Sequence, residues 1–399
     1  MPRKAEMVDF KKEKIKIMLV AGEASGDAHA AKLVKALQEL APEADFNFFG
    51  AAGEKMREAG VKAVVKSDHL SIVGLLEIGR ALPLFWNVFQ KLKRAAENRK
   101  PDAVILIDFP DFNLKLAKSL KKRNLKIIYY ISPQIWAWRG YRLKAIKRDV
   151  DLLLTILPFE KDWYERRGFS KVEYVGSPLA REVKAHLTRE EFCKKHNLDI
   201  SQPIISLLPG SRHKEIIRIF PPLLETVSLM AKENSELQFI ITLASHRHIS
   251  DIENAMNKAK NNNLKLPEKL LIIEGETLDA LNASDAAAVT SGTATLETAI
   301  IGTPFAIVYK SSPLNYRLFR PMISVEHFGL VNLIAERRLI KEFIQDDFTP
   351  EVLSRELFDL LEAENNEKMR NDLREVSDKL GHGGASKRAA QTILRELSE

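Results

Sequence analysis

The stretch AVILIDFPDFN at residues 103–113 runs an apolar segment into two aspartates three positions apart. Asp108 falls at the C-terminal end of a predicted strand, where the ligand crevice of an open α/β sheet lies. Its carboxylate is placed to act as a general base. Asp111 offers the same chemistry, but its position at a turn before an amphipathic helix suits a helix cap, so Asp108 is the base candidate. The spacing also fits two ligands of a metal ion, but no further carboxylate cluster supports such a site and no metal is expected.

A second acidic corner is LVAGEASGD at 19–27. Its glycines lack the third member of a dinucleotide fingerprint. Gly22 and Gly26 are read as keeping a strand-to-helix turn small, and Asp27 as capping a helix that begins near Ala28. Glu23 is left as a second candidate acid on the acceptor side.

Two later loops suit anions. In PIISLLPGSRHKEIIRIF (203–220) a strand ends at Pro209-Gly210; Gly210 lets a ligand approach the backbone, Ser211 is placed to cap the next helix, and Arg212 adds a charged fork for phosphate oxygens. In AAAVTSGTATLETAIIGTPFAIVY (286–309) the small residues Ser291, Gly292, Thr293 and Thr295 open a helix whose first turn carries Glu297. A carboxylate there can accept hydrogen bonds from both ribose hydroxyls; by itself it would serve only the helix dipole, worth about 0.3–1 kcal/mol. Two such loops with one such acid favour a nucleotide diphosphate. Neither has the GK[ST] of a phosphate-binding P-loop, so ATP hydrolysis is not expected.

Three stretches stay open on residue types alone. ISPQIWAWRGYRLKAIKR (131–148) combines Gln134, Trp136 and Trp138 with five basic residues. It fits contacts to a sugar phosphate or lipid head group, stacking on nucleic acid, or a basic helix with core tryptophans. LSIVGLLEIGRALPLFWNVFQKLKR (70–94) reads as a core helix pair divided at Pro83, or as a surface that holds acyl chains or lies on a membrane. His246 and His248 in SHRHIS are read as a loop. Cys193 has no disulfide partner, and its neighbours FCKKHNLD read as an exposed helix end without a nucleophile signature.

These residues need a scaffold. The chain has 399 residues, 45% of them hydrophobic, and 61 Lys and Arg against 54 Asp and Glu, a net charge of +7. That size fits two domains, and the mild basic excess fits an acidic substrate or an anionic membrane surface as well as nucleic acid. The basic start leads into an apolar run, IMLVA, too short for a signal peptide, and no stretch offers the roughly 18 apolar residues of a membrane span. Short apolar runs (IKIMLVAG, FNFFG, AVILIDFP, KIIYYIS, LLLTILP, VEYVG) alternate with helix-length segments, and the pattern restarts at PIISLLPG, QFIITLA, LLIIEG, AAAVTSG and PFAIVYK. The expected fold is α/β, with two Rossmann-like doubly wound domains facing a cleft. The N-terminal acceptor-side domain is drawn at 1–180 and the nucleotide-binding domain at 181–365. A helical segment at 366–399 either crosses back or is exchanged in a dimer.

Taken together, GEASGD (22–27), IDFPDFN (107–113), SPQIWAWR (132–139), LPFEKDWY (157–164), LPGSRHKEI (208–216), SGTATLET (291–298) and FGLVNLIA (328–335) resemble the lipid-A-disaccharide synthases, glycosyltransferase family nineteen, of GT-B architecture. The resemblance implies transfer of an acylated glucosamine from UDP-2,3-diacylglucosamine to 2,3-diacylglucosamine 1-phosphate (lipid X), giving a β-1,6-linked disaccharide phosphate and UDP. It implies no metal or cofactor, no nucleic-acid partner, residence on the cytoplasmic face of an inner membrane, and a homodimer that exchanges C-terminal segments. Position by position, Asp108 and Glu23 match the family's essential acids, Arg212 the arginine of LPGSR, Asn332 the asparagine of the NL motif, and Glu297 the ribose-binding acid. Gln134 and Trp136 fall among the implied substrate contacts. VGSPLARE (175–182) departs, with Ser177 where the family usually has histidine and Arg181 near a frequent aspartate. Rival readings are another GT-B enzyme, such as the peptidoglycan lipid II glycosyltransferase or a UDP-GlcNAc 2-epimerase, and a non-catalytic basic protein.

Overall fold

The computed structural model describes residues 14–67, 78–243, 248–312, 316–317, 327–381 and 383–398. Among them, 14–178 with 383–398 form one compact unit and 179–381 the other. Residues 70–77 of the apolar stretch, and His246, lie outside the described residues.

The first unit is a parallel sheet of β1 (Lys14–Ala21), β2 (Asp45–Ala52), β3 (Lys62–Lys66), β4 (Ala103–Ile107), β5 (Ile127–Tyr130), β6 (Leu152–Thr155) and β7 (Val172–Tyr174), ordered β3-β2-β1-β4-β5-β6-β7. Along β1, Ile15, Ile17, Leu19 and Ala21 enter one buried cluster while Met18 and Val20 enter another. Side chains of alternating direction, apolar on both faces, are what a strand covered by helices on both sides requires. The order reverses between β1 and β4, and Ala21 stands opposite Ile107 in that pairing. The residues after each, Gly22-Glu23 and Asp108-Phe109, therefore leave adjacent strand ends at the switch point, where ligands of open α/β sheets bind.

Local chemistry corrects three expectations here. Helix α1 (Ala24–Leu40) begins with Glu23 at its N-cap, so Asp27 sits inside its first turn instead of capping it near Ala28. The buried Asp27 carboxylate instead accepts the backbone N–H groups of Gly53, at 2.7 Å, Lys55, at 2.9 Å, and Met56, at 3.3 Å. It thereby satisfies the free donors of α2 (Glu54–Glu58) from a different segment. The stretch around Pro83 is one helix, α3 (Ile78–Arg99), not a divided pair; the proline lies inside it and removes one backbone donor without ending the helix. Asp111 does not cap α4 (Pro110–Lys121), whose N-cap is Phe109.

The second unit orders β8 (Ile204–Leu208), β9 (Gln238–Leu243), β10 (Leu270–Glu274), β11 (Ala286–Thr290), β12 (Phe305–Tyr309) and β13 (Glu342–Ile344) as β10-β9-β8-β11-β12-β13. All these pairs are parallel, and the reversal falls between β8 and β11, where Leu208 stands opposite Val289. Gly210 and Ser291 follow directly. Cys193 is not exposed: it is buried with Phe192 against Ile204 and Ile240, because the apolar side of its short helix turns inward. The helix Ala363–Lys379 packs on Thr293–Ile301 within this unit, whereas Ala385–Ser398 packs on α1 and adds Ala389, Ala390, Ile393 and Leu394 to the first unit's core. No helix among the described residues is long and apolar enough to cross a membrane.

Candidate functional site

In the first unit, Asp108 and Phe109 both adopt left-handed backbone, with φ of 45° and 50°. Non-glycine residues in this region cost energy and persist only where their surroundings fix them. Here the fixing contacts are explicit. The Tyr129 hydroxyl donates to the Asp108 carbonyl oxygen at 2.6 Å, and Asn113 Nδ2 donates to the same oxygen at 2.8 Å. Asn113 Nδ2 also reaches the Ile107 carbonyl at 3.2 Å, and the Asp108 N–H donates to the Tyr130 carbonyl at 3.1 Å. Phe109 lies over Gly22: a Cβ at residue 22 would sit 2.4 Å from its ring, so only glycine fits. Burial, and then the Glu23 carboxylate, push the Asp108 carboxyl above the usual carboxylate range. Glu23 itself is exposed at the start of α1.

Asp111 faces solvent and accepts from Arg139 at 2.9 Å and from Arg142. Arg139 also stacks over Trp138, 4.1 Å from the ring. Gln134 is exposed. Trp136, expected among the substrate contacts, is instead a core residue: it is 4% exposed and its indole N–H donates to Glu160 Oε1 at 3.0 Å. Glu160 is buried as well and accepts the N–H groups of Ile156 and Leu157. Burial raises its pKa to about 7 against these hydrogen bonds.

In the second unit, a cavity of about 560 Å³ opens at the switch point and is lined by Gly210, Ser211, Arg212, Ser291, Gly292, Thr293 and Glu297. Ser211 is not the helix cap. Arg212 occupies that position before His213–Glu233, and Glu215 reaches back to accept from the Ser211 N–H at 3.1 Å and from Arg212 at 2.9 Å. Arg212 is otherwise 80% exposed. Gly292 has φ of 154° with nothing near its missing Cβ, and Thr293 begins the helix, so the first N–H groups face the cavity. Thr295 is buried and donates to the Gly292 carbonyl at 2.7 Å, shaping the turn from inside instead of lining it. Glu297 stands just beyond the first turn of the helix and not in it; it is half-buried, burial alone raises its pKa, and it has no hydrogen-bond or ion-pair partner among the described residues. Thr242 lines the same cavity with a buried hydroxyl that also lacks a partner there.

Asn332, grouped with the catalytic residues on sequence, is fully buried. Its amide donates to Ile340 O and Glu342 at 2.8 Å each and accepts from Leu339 and Ile340 N–H at 2.9 and 2.8 Å. All its capacity is spent holding the segment that leads into β13. Ser177 is buried too. Among the described residues no three His, Cys, Asp or Glu side chains gather as metal ligands. Sequence reasoning missed Asn113, Tyr129, Glu160 and Thr242. Asn113 ends the quoted IDFPDFN and Glu160 lies in LPFEKDWY, but nothing in their types showed which backbone atoms they would reach.

A family model described as lipid-A-disaccharide synthetase matches residues 17–395. The lipid-A-disaccharide synthase of Trichlorobacter lovleyi is 42% identical over 96% of this chain and 98% of its own, and that of Geobacter metallireducens is 40% identical over the same shares. Among solved structures, a putative UDP-N-acetylglucosamine 2-epimerase from Listeria monocytogenes aligns with a TM-score of 0.62 at 15% identity, over 95% of this chain and 96% of its own. An S. aureus MnaA-UDP co-structure aligns with a TM-score of 0.64 at 13% identity, over 96% and 97%. These two show the fold alone, two parallel-sheet α/β units of GT-B type.

Proposed function

The chain belongs to the lipid-A-disaccharide synthase family, a glycosyltransferase family of lipid A biosynthesis, and from that membership we propose its reaction in detail. The donor is UDP-2,3-diacylglucosamine and the acceptor 2,3-diacylglucosamine 1-phosphate. The observation that carries the donor half is Glu297, a half-buried carboxylate without a partner among the described residues, in a cavity whose other walls offer helix N–H groups and Arg212. A ribose diol would supply the two missing donors, and the diphosphate would take the N–H groups and the guanidinium.

On the acceptor side, Asp108 takes the proton of the acceptor's 6-hydroxyl as that oxygen attacks the anomeric carbon. The bond from that carbon to the UDP oxygen breaks, and UDP leaves with the electron pair. The displacement inverts the centre and gives the β-1,6 link. A base with a raised pKa holds the proton better than an ordinary carboxylate, which suits this step. The charge growing on UDP is met by Arg212 and the helix start at Thr293. Glu23 supports Asp108 by raising its basicity. Asn332 and Trp136 act through the scaffold.

The acyl chains of both substrates give α3 a use. Trp86 is 65% and Leu84 45% exposed on it, while Phe85 and Phe89 continue inward to Phe112, and Phe109 packs at a tilt against Phe85 and Phe112. We read this aromatic face as the contact with acyl chains and with an anionic membrane surface on the cytoplasmic side, and the working protein as a homodimer, which sedimentation would test. The decisive experiment is UDP release measured with both diacyl substrates. Release that requires the acceptor, with a disaccharide 1-phosphate as product, is expected. UDP release or sugar epimerisation without the acceptor would overturn the reading.

A further inference from the structure

The Asp108 carbonyl oxygen is held from two directions. Tyr129 is fully buried in β5, and its hydroxyl donates to that oxygen at 2.6 Å. Asn113, one turn into α4 and also fully buried, donates from Nδ2 at 2.8 Å. The second asparagine atom, Oδ1, has no partner among the described residues, so the amide is engaged only through its donor side. The oxygen they share belongs to the first of two consecutive left-handed residues. A strained turn of this kind relaxes unless its polar atoms are better satisfied strained than relaxed. Both donors meet that condition at the residue that bears the carboxylate.

We propose that Tyr129 and Asn113 are positioning residues: together they clamp the Asp108 carbonyl and so hold the left-handed turn that sets where the Asp108 carboxylate points. The proposal rests on the reading of Asp108 as the general base. Neither side chain touches substrate in it. Both donors come from elements flanking β4, one from the neighbouring strand and one from the following helix, so the turn is fixed against movement along the strand and away from it. Losing one donor leaves the other, and losing both leaves the Asp108 turn to its backbone bond to the Tyr130 carbonyl.

The test uses the full chain. Tyr129→Phe keeps the ring volume and removes one donor. It is expected to lower kcat about fivefold to tenfold, the equivalent of one hydrogen bond, with donor KM unchanged. Asn113→Ala removes the other donor, and the double variant is expected to cost more than the product of the two single effects, because each donor partly covers for the other. Lost positioning also moves the acidic limb of the kcat/KM profile to lower pH, as the freed carboxylate gains solvent. Among the described residues the other titratable and charged groups around this cluster are Glu23, Asp111, Arg142 and Tyr164, and neither variant alters them. Wild-type kcat in Tyr129→Phe overturns the proposal, as does a fall in kcat with an unmoved acidic limb, the mark of a merely structural loss. If the double variant fails to fold, Tyr129→Phe alone decides by the same two readouts. Asp108→Asn run alongside separates the two ideas: near-normal turnover there overturns the base assignment itself, whereas an inactive Asp108→Asn with a wild-type Tyr129→Phe overturns only the clamp.

Discussion

The two switch points are built alike and finished differently. Each lies where a parallel sheet reverses its strand order, and each presents two strand-to-helix turns side by side. In the first unit the turn at Asp108 is closed by its own protein. Left-handed residues replace glycine, the Asp108 carbonyl accepts two side-chain hydrogen bonds, and a phenyl ring fills the space above Gly22. In the second unit Glu215 covers the turn at Gly210, but the turn at Gly292 is left open, with exposed N–H groups and a Glu297 that has no partner among the described residues. A closed turn fixes a group that must point one way during a proton transfer. An open turn leaves donors and acceptors for a ligand to satisfy. The contrast suits a base on one side and a nucleotide diphosphate on the other.

The sharpest way to break this comparison is Asp108→Asn. It is expected to lower turnover by about 10² to 10⁴-fold while UDP affinity, measured by calorimetry, stays within twofold of wild type. A matching loss of UDP binding would mean that the two switch points do not divide the work.

A second measurement addresses how closed the first unit is. The folded-state pKa of Glu160 is raised to about 7, above its unfolded value of 4.5. The folded protein therefore holds a proton that the unfolded chain has already lost between those values. Its contribution is fully present below about pH 4.5 and is lost as pH rises through about 7. The swing is on the order of 3 kcal/mol. Denaturant midpoints from pH 5 to 8 should show Glu160→Gln gaining on wild type as pH rises; parallel curves would mean that water reaches the carboxylate.

On the open side, Glu297→Gln should weaken UDP binding about tenfold, the worth of a charge-assisted hydrogen bond, with the melting temperature unchanged. A large drop in melting temperature would make Glu297 a structural acid after all. The smallest effect is expected on α3. Leu84→Ser with Trp86→Ser should leave stability within about 0.5 kcal/mol and reduce co-sedimentation with anionic phospholipid vesicles. Val88, by contrast, is 5% exposed and belongs to the core, so a serine there reports on folding and not on the surface. Unchanged vesicle binding in the Leu84 and Trp86 variant would remove the membrane role.

Much of the architecture was legible because buried parallel strands are nearly continuous apolar runs. IKIMLVAG, AVILI and AAAVT announce themselves. The two strands that escaped notice are edges: β3 is KAVVK, half exposed, and β13 has three residues, too few for any pattern. The open turn at Gly292 was also legible, since glycine and small hydroxylated residues before a helix say which atoms will be free. The closed ones were not. Asp27, Asp111 and Asn332 each sit where a short polar side chain commonly caps its own helix or faces a ligand. Each instead serves a distant segment: Asp27 the helix after β2, Asp111 a pair of arginines about thirty residues on, Asn332 the run into β13. Local spacing names the side chain that needs a partner but not the partner that tertiary packing brings.

The helix Ala385–Ser398 has a consequence for how the protein is made. Its Ala389, Ile393 and Leu394 belong to the core of the first unit, yet they leave the ribosome after the whole second unit. Domains usually complete themselves in the order of synthesis. Here the half that emerges first is finished last, and until then the face of α1 that receives this helix stays uncovered. The nascent chain must carry an apolar surface through most of its translation, so messages cut short before this helix should yield aggregates in place of a functional N-terminal half.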